Sequence, residues 1–179
     1  MNVINKSIDR LIEMAEDEVF EGEFSKAEQL LYAALEEEPG YTKLHYTLAW
    51  MFHYHDFDEE RALVHYHWAI RFDPENEKAY QGYSALLMKQ KRYNDLDSLL
   101  RRAEQNEGIE KDFVYRLLAE IAEKRENFSE AITTYKKALL YSMDNDDVDE
   151  LRQNIKRCRF KKLKRARIRW LQIKSQVRN

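Results

Sequence analysis

Five histidines lie close together in this sequence, and they are its best candidates for holding a metal ion. They are His45, His53, His55, His65 and His67. Imidazole nitrogens are common ligands of zinc and other transition metals. The spacing argues against a metal site, because helical residues two apart point in different directions and the HExxH pattern is absent. We therefore expect no metal or cofactor here, and interpret the histidines as partly exposed polar residues of a Tyr- and His-rich hairpin.

The acidic run DNDDVDE at 144–150 is a second candidate, because carboxylate oxygens bind calcium. It lacks the central glycine and the distal glutamate of a calcium loop, since Ile155 stands at the twelfth place counted from Asp144. We expect these acids instead to cap the following helix and to complement the positive end of its dipole.

No catalytic motif accompanies these residues. The sequence has no glycine-rich phosphate loop, no nucleophile elbow and no Cys–His pairing, so we expect a protein that is not an enzyme. A single cysteine, Cys158, excludes an internal disulfide framework and fits a reducing compartment. The start has no apolar h-region, and no stretch approaches ~18 uncharged apolar residues. These features favour a cytoplasmic protein without a membrane span.

The elements that carry these residues are predicted to be helices. The 179 residues include 4 Gly and 2 Pro, too few turn residues for a sandwich, a barrel or a doubly wound sheet. With 44% hydrophobic residues, the chain is also too apolar to be disordered throughout.

A repeat of about 35 residues organises these helices. Small or apolar residues recur at intervals of 35, 34 and 35 at Ala27, Ala62, Leu96 and Ala131. The same intervals separate Leu31, Tyr66, Leu100 and Tyr135, and also Ala34, Ala69, Ala103 and Ala138. An earlier position in each unit holds Leu11, His45, Tyr80 and Tyr115. Each unit thus carries two apolar helical stripes joined by a polar turn, which predicts helix hairpins that stack on one another.

This pattern resembles the tetratricopeptide repeat, whose signature runs Trp-x2-Leu-Gly-x2-Tyr, then Ala-x3-Phe, then Pro. The stretches GEFSKAEQLLYAALEEEP and ENFSEAITTYKKAL match it best, and the fourth unit reads Tyr115-x2-Leu118-Ala119, then Ala131-x3-Tyr135. The resemblance implies an all-α protein, an α-solenoid of about four helix hairpins with a long C-terminal capping helix. The implied array spans 1–145, with units at about 8–41, 42–76, 77–111 and 112–145, and a basic extension spans 146–179.

In this family the first helix of each unit lines a concave groove that binds a peptide or a helix. The resemblance therefore implies these partner-binding residues: Lys43, Tyr46, Trp50, His53, Tyr54, Lys78, Gln81, Met88, Lys89, Arg116 and Glu120. The same register adds Asp9, Ile12, Glu16, Val19 and Phe20 in the first unit, Ala85 in the third, and Phe113, Glu123 and Lys124 in the fourth.

Three aromatic residues dominate this implied groove. Tyr46, Trp50 and Tyr54 follow one another at i, i+4 and i+8, and such side chains are frequent interface anchors. The alternative is that some of them belong to the core between helices. The Lys and Asn carboxylate clamp of chaperone-tail binders is absent, because its positions hold Ile12 and Glu16 in the first unit.

Charge divides the chain into an acidic body and a basic tail. Residues 1–151 carry 18 basic and 33 acidic side chains, a net charge of −15, whereas 152–179 carry 12 basic side chains and no acid. The tail residues singled out for binding are Arg157, Lys161, Lys162, Lys164, Arg165, Arg167, Arg169 and Trp170.

Two apolar stripes predict a long helix through this tail. The first, at Val148, Leu151, Ile155 and Cys158, would cap the fourth unit, and the second is formed by Leu163, Ala166, Trp170, Ile173 and Val177. We expect the overrun to pack on the acidic body of its own or another chain through Leu163, Trp170 and Ile173. The alternatives are nucleic acid and an anionic membrane surface.

The leading functional hypothesis is a non-enzymatic adaptor, or scaffold, that binds a peptide or helix of a partner protein in its groove, with self-association through the C-terminal helix as a further expectation. The first alternative is a nucleic-acid or ribosome-associated protein that docks through the basic tail. The second is a small secretion-type chaperone, against which the long basic tail counts.

Overall fold

The computed structural model describes residues 3–176, without the side chains of residues 3–5 and 175, so Val177 of the second stripe lies outside the described residues. Over that range the chain forms nine α-helices and no strand. They are α1 (Val3–Phe20), α2 (Phe24–Glu37), α3 (Thr42–Tyr54), α4 (Glu59–Phe72), α5 (Glu77–Lys89), α6 (Tyr93–Glu104), α7 (Lys111–Lys124), α8 (Phe128–Tyr141) and α9 (Asn145–Gln176).

Short polar turns begin several of these helices with side-chain caps. Asp58 accepts a hydrogen bond from the Arg61 backbone N–H at 3.1 Å before α4, and Asn76 accepts one from Ala79 at 3.0 Å before α5. Asp144 accepts one from Asp146 at 2.7 Å at the start of α9. These contacts satisfy backbone donors that the first helical turn leaves free. The capping role predicted for the acidic run is confirmed for Asp144.

The chain divides into two compact units, Met1–Leu96 and Asp97–Asn179. In the first unit α1 packs on α2, α3 on α4 and α4 on α5. In the second unit α7 packs on α8, and α8 on α9. The small repeat residues, Ala27 and Ala34 on α2 and Ala131 and Ala138 on α8, are fully buried and allow these close contacts. The repeat boundaries and the division at 145/146 stay predictions from the sequence.

Gly82 of α5 marks the tightest approach in the first unit. A Cβ atom placed on it would lie 2.6 Å from Cε1 of Tyr66, a side chain of α4 that is only 1% exposed. The hydroxyl of Tyr66 is also hydrogen-bonded to His53 Nδ1 at 3.2 Å, so the ring cannot move away without breaking that contact. The α4–α5 packing therefore depends on glycine at this position.

We predict that Gly82→Ala lowers the free energy of unfolding by about 1–3 kcal/mol, because the added methyl group overpacks the Tyr66 ring. Thermal and denaturant unfolding followed by circular dichroism measures this. Gly40→Ala is the matched control, since its added Cβ would lie 3.7 Å from the Phe72 ring, an ordinary contact distance. Equal effects of the two substitutions would contradict the prediction.

Candidate functional site

The three predicted aromatic residues lie on the side of α3 that is left free by packing. The buried residues of α3 are Leu44, His45, Thr47, Leu48, Ala49, Met51 and Phe52. Tyr46 and Trp50 are half-buried, and Tyr54 is 50% exposed. The spacing of four residues keeps all three on one stripe of the helix. The three side chains are thus neither fully buried in the core nor fully exposed to solvent.

Phe20 of α1 extends this stripe across to the neighbouring helix. Its side chain is 78% exposed, and its ring centroid lies 6.4 Å from that of Trp50. The His53 and Tyr54 rings are stacked at 4.0 Å. We call Phe20, Tyr46, Trp50, His53 and Tyr54 the aromatic surface. It is an exposed apolar area of the kind that marks interaction sites.

A cavity of about 560 Å³ adjoins the aromatic surface at Tyr46. Its other lining residues are Glu16, Gly40, Tyr41, Thr42, Lys43, Thr47, Asp73, Asn76 and Lys78. Asp9 accepts hydrogen bonds from the Lys43 ammonium at 3.3 Å and from the Tyr41 hydroxyl at 3.0 Å. Lys78, the equivalent of Lys43 in the next repeat, is exposed. The cavity therefore places two cations, Lys43 and Lys78, and two acids, Glu16 and Asp73, near the Tyr46 ring.

The other predicted groove residues of the first unit lie on α5. Gln81 is exposed and donates a hydrogen bond to Glu77 at 2.7 Å. Met88 is half-buried, and Lys89 forms an ion pair with Glu59. Arg116 and Glu120 belong to the second unit, where Arg116 lies 3.7 Å from Asp147 and burial raises the pKa of Glu120.

Four positions that the repeat register adds to the groove are buried, so that part of the prediction is wrong. They are Ile12, Val19, Phe113 and Glu123, all at most 8% exposed. Each first helix packs against neighbouring helices. The repeat register alone does not show which of its positions face those neighbours and which face solvent.

Two of the clustered histidines form a buried hydrogen-bonded pair. His45 is 4% exposed and His65 is 6% exposed. The Nε2 of His45 donates to the Pro39 carbonyl at 2.9 Å, so its Nδ1 carries no proton and accepts from Nδ1–H of His65 at 3.1 Å. The remaining Nε2 of His65 accepts from the Tyr32 hydroxyl at 3.0 Å. Each ring is held in one neutral tautomer.

The expectation that all five histidines are partly exposed is wrong for this pair. His45 occupies the repeat position that holds Leu11, Tyr80 and Tyr115 in the other units, so the register itself carried the signal of burial. Among the described residues, no group of three or more His, Cys, Asp or Glu side chains could hold a metal ion. Burial lowers the pKa of His65 to about 4.

The beginning of the basic tail is bound to α7 through Glu123. Arg157 donates to both carboxylate oxygens, from Nε at 2.9 Å and from Nη2 at 2.8 Å, and Lys161 donates at 2.8 Å. The Tyr135 hydroxyl donates at 3.2 Å. We call these four residues the Glu123 cluster. Hydrogen bonds from Arg157 and Lys161 hold the pKa of Glu123 at about 2.

Beyond the Glu123 cluster, the tail is exposed. Arg165 lies 3.0 Å from Glu126, but Lys162, Lys164, Arg167 and Arg169 pair with no acid in the part of the chain that is described. Trp170 is 57% exposed, with the Lys174 ammonium 4.8 Å from its ring centroid.

The predicted docking of Leu163, Trp170 and Ile173 on the body of the same chain is wrong. These side chains are 71%, 57% and 52% exposed. The reason is the length of α9, which has 32 residues, whereas α8, the helix on which it packs, has 14. Ile173 follows the buried Ile155 by 18 residues, about five whole turns, and so lies on the same side of α9, but beyond the end of α8. The side of α9 that packs against α8 carries Leu151, Ile155 and Cys158, which are buried.

None of the described helices is both long and apolar enough to cross a bilayer.

No family profile matches the sequence, and no curated protein matches it significantly. Several solved structures are similar. PilF of Pseudomonas aeruginosa is 21% identical over 91% of this chain and 72% of PilF, with a TM-score of 0.70. Yeast Tom70 is 20% identical over 89% of this chain, with a TM-score of 0.68, and this chain covers 34% of it. YrrB, described as a TPR protein with an unusual peptide-binding site, is 22% identical over 72% of this chain and 63% of YrrB, with a TM-score of 0.55.

These similarities show that the chain has the fold of tetratricopeptide-repeat proteins. The resemblance found in the sequence, and the all-α fold class that it implied, are confirmed at the level of the fold. At these identities the comparisons carry no assignment of partner.

We predict that acidification destabilises the protein through the His45–His65 pair. Histidines of the unfolded chain take up a proton near pH 6.5, whereas His65 in the fold does so at about 4. Stability contributed by neutral His65 is therefore present above pH 6.5 and is lost as the pH falls towards 4, by about 3 kcal/mol. A histidine NMR titration should give a midpoint near 4 for His65. His67→Gln, which removes an exposed histidine, should leave the loss of stability on acidification unchanged. A titration midpoint near 6.5 for His65 would contradict the prediction.

We also predict that Glu123→Gln lowers the free energy of unfolding by about 2 kcal/mol, because it leaves Arg157 and Lys161 without an acid. The expected loss of unfolding free energy is smaller than for a fully buried ion pair, because both cations are about half exposed. Glu126→Gln is the control: it breaks only the exposed pair with Arg165 and should change stability by less than about 0.5 kcal/mol. Urea unfolding of the three proteins measures this, and a Glu123→Gln protein as stable as Glu126→Gln would disprove it.

Proposed function

We propose that this chain is a non-enzymatic protein-interaction module that holds a peptide or short helix of a partner protein against α1, α3 and α5. The observation that carries the proposal is the aromatic surface, with Phe20 78% exposed and Tyr54 50% exposed on adjacent helices. The comparisons support the proposal through the shared fold alone. YrrB, one of the proteins of similar fold, is described as having a peptide-binding site.

The aromatic surface has the properties of an interaction hot spot. Trp and Tyr side chains contribute large apolar areas at interfaces and lose little conformational entropy when they are bound. Here the rings already contact one another, Phe20 with Trp50 and His53 with Tyr54, so a partner would meet a largely preformed surface. Preformed surfaces bind more tightly because less order has to be created on association.

The adjoining cavity indicates which partner chemistry fits. Lys43 is already paired with Asp9, whereas Lys78 pairs with no acid within the described residues. A ligand that places a large apolar side chain on the aromatic surface would therefore gain from a carboxylate or carbonyl oxygen near Lys78. We propose a peptide with an aromatic or aliphatic anchor beside an acidic residue as the preferred ligand class.

The proposed compartment is the cytoplasm. It rests on the lone Cys158, whose thiol is buried and unpaired by any disulfide, as expected of a protein in a reducing environment.

We predict that peptides selected by phage display on the immobilised full chain bind Trp50→Ala at least about 30-fold more weakly, the effect of losing a hot spot of about 2 kcal/mol. Phe20→Ala should weaken binding in the same direction without changing the melting temperature, because its side chain is already exposed. Lys78→Gln should selectively weaken the binding of acidic peptides. Fluorescence anisotropy with labelled peptides measures the affinities.

Phe160→Ala is the matched control, since it removes another exposed aromatic ring, 68% exposed, outside the aromatic surface. Its peptide affinity should equal that of the unmodified chain. The proposal is wrong if no peptide is enriched, or if enriched peptides bind the Phe20→Ala and Trp50→Ala variants as tightly as the unmodified chain.

A further inference from the structure

We propose that the exposed end of α9, residues 162–174, is a docking surface for an anionic lipid bilayer, on which it lies as a basic amphipathic helix. We call residues 162–174 the lipid-docking segment. The inference is independent of the peptide site, because it rests on different residues of the second unit.

The lipid-docking segment leaves an unusual amount of apolar area in water. Five large apolar side chains within it are exposed by 47% or more: Leu163, Ile168, Trp170, Leu171 and Ile173. Three of them, Leu163, Trp170 and Ile173, follow one side of the helix together with Ala166, at spacings of three, four and three residues. A continuous apolar stripe is thus left uncovered by this chain.

Basic side chains border that stripe on both sides. At about 100° per residue, Lys162 and Arg169 lie along one edge and Arg167 and Lys174 along the other. No acidic residue occurs from 152 onward. Cations at both edges of an apolar stripe can reach phosphates while their alkyl chains lie along the hydrocarbon boundary. Trp170 at the centre is the residue type that favours that boundary.

The Glu123 cluster orients this stripe. Lys161 and Arg165 hold one side of α9 against acids of the second unit, at 2.8 Å from Glu123 and 3.0 Å from Glu126. Trp170 lies on the opposite side of the helix from Lys161, and so points away from those contacts. Because Leu151, Ile155 and Cys158 are buried, the helix that continues into the segment is already anchored. A lipid surface would therefore meet a helix whose ordering is largely complete.

Charge and apolar area together favour lipid over other partners. Nucleic acid would neutralise the cations but leave the stripe of Leu163, Trp170 and Ile173 in water. The same segment of a second copy would cover the stripe but oppose cations to cations. An anionic bilayer satisfies both groups at once. It also repels the body of charge −15, so the segment is the part that approaches the membrane.

The test is co-sedimentation of the full chain with large unilamellar vesicles of phosphatidylcholine in which about a third of the lipid is phosphatidylglycerol, at about 0.1 M salt. Pure phosphatidylcholine vesicles form the second arm. We expect at least tenfold stronger binding to the anionic vesicles. Trp170→Ser should weaken it about tenfold, and Arg167→Gln combined with Lys174→Gln about 25-fold, at about fivefold per charge.

Two control variants change similar side chains outside the segment. Leu140→Ser removes an 81% exposed apolar side chain of α8, and Lys136→Gln removes an exposed charge of the same helix. Both variants should sediment with anionic vesicles to the same extent as the unmodified chain. Trp50→Ala should do so as well, because that substitution affects the proposed peptide site and not the lipid-docking segment.

Three outcomes would overturn the proposal. The first is no binding to anionic vesicles, and the second is equal binding to neutral and anionic vesicles. The third comes from a gel-shift arm with a DNA duplex of about 20 base pairs. Nucleic acid would be identified as the partner if duplex binding depends on Arg167 and Lys174, is unchanged by Trp170→Ser and is not displaced by anionic vesicles.

Discussion

Close approach between neighbouring helices over small side chains is the constraint on which the rest of the structure depends. An isolated hairpin cannot bury both of its apolar stripes, so each hairpin is stable only while a neighbour packs against it. Ala27 and Ala34 in the first unit, and Ala131 and Ala138 in the second, are fully buried where such contacts are made. Gly82 carries the same constraint to its limit, because α5 approaches the Tyr66 ring so closely that even a methyl group does not fit.

This packing brings polar groups into places where each needs a partner. The His45–His65 pair solves the problem with neutral rings in fixed tautomers, joined to the Pro39 carbonyl and the Tyr32 hydroxyl. Glu123 solves it with charge, since Arg157 and Lys161 of α9 supply the cations that a buried carboxylate requires. The first arrangement links α2, α3 and α4, and the second joins α9 to α7. Buried polar groups thereby determine how specific helices meet, beyond what apolar contact requires.

The two candidate binding surfaces are what this packing leaves uncovered. The aromatic surface uses the free side of α3 together with Phe20 of α1, while the buried side of α3 holds the hairpin together. The lipid-docking segment, residues 162–174, is the part of α9 that follows the Glu123 cluster, and Arg165 is the residue of the segment that pairs with an acid, Glu126. In both places large apolar side chains remain in water on a preformed helix, which is the property that both proposals use. They differ in charge, since the segment is rich in Lys and Arg and the aromatic surface contains neither.

The 35-residue periodicity of small and apolar residues determined the helix hairpins. Spacings of three and four residues determined the long basic helix and the aromatic stripe, because helical spacing maps sequence directly onto faces. It did not separate the free face from the buried one, and so Ile12, Val19 and Phe113 were assigned to an open groove although neighbours cover them. The tertiary structure alone decided that Arg157 and Lys161 meet Glu123, more than 30 residues away, and that Trp170 points into solvent. Pairing across such distances depends on where two helices lie in space, and no local pattern of residues encodes that position.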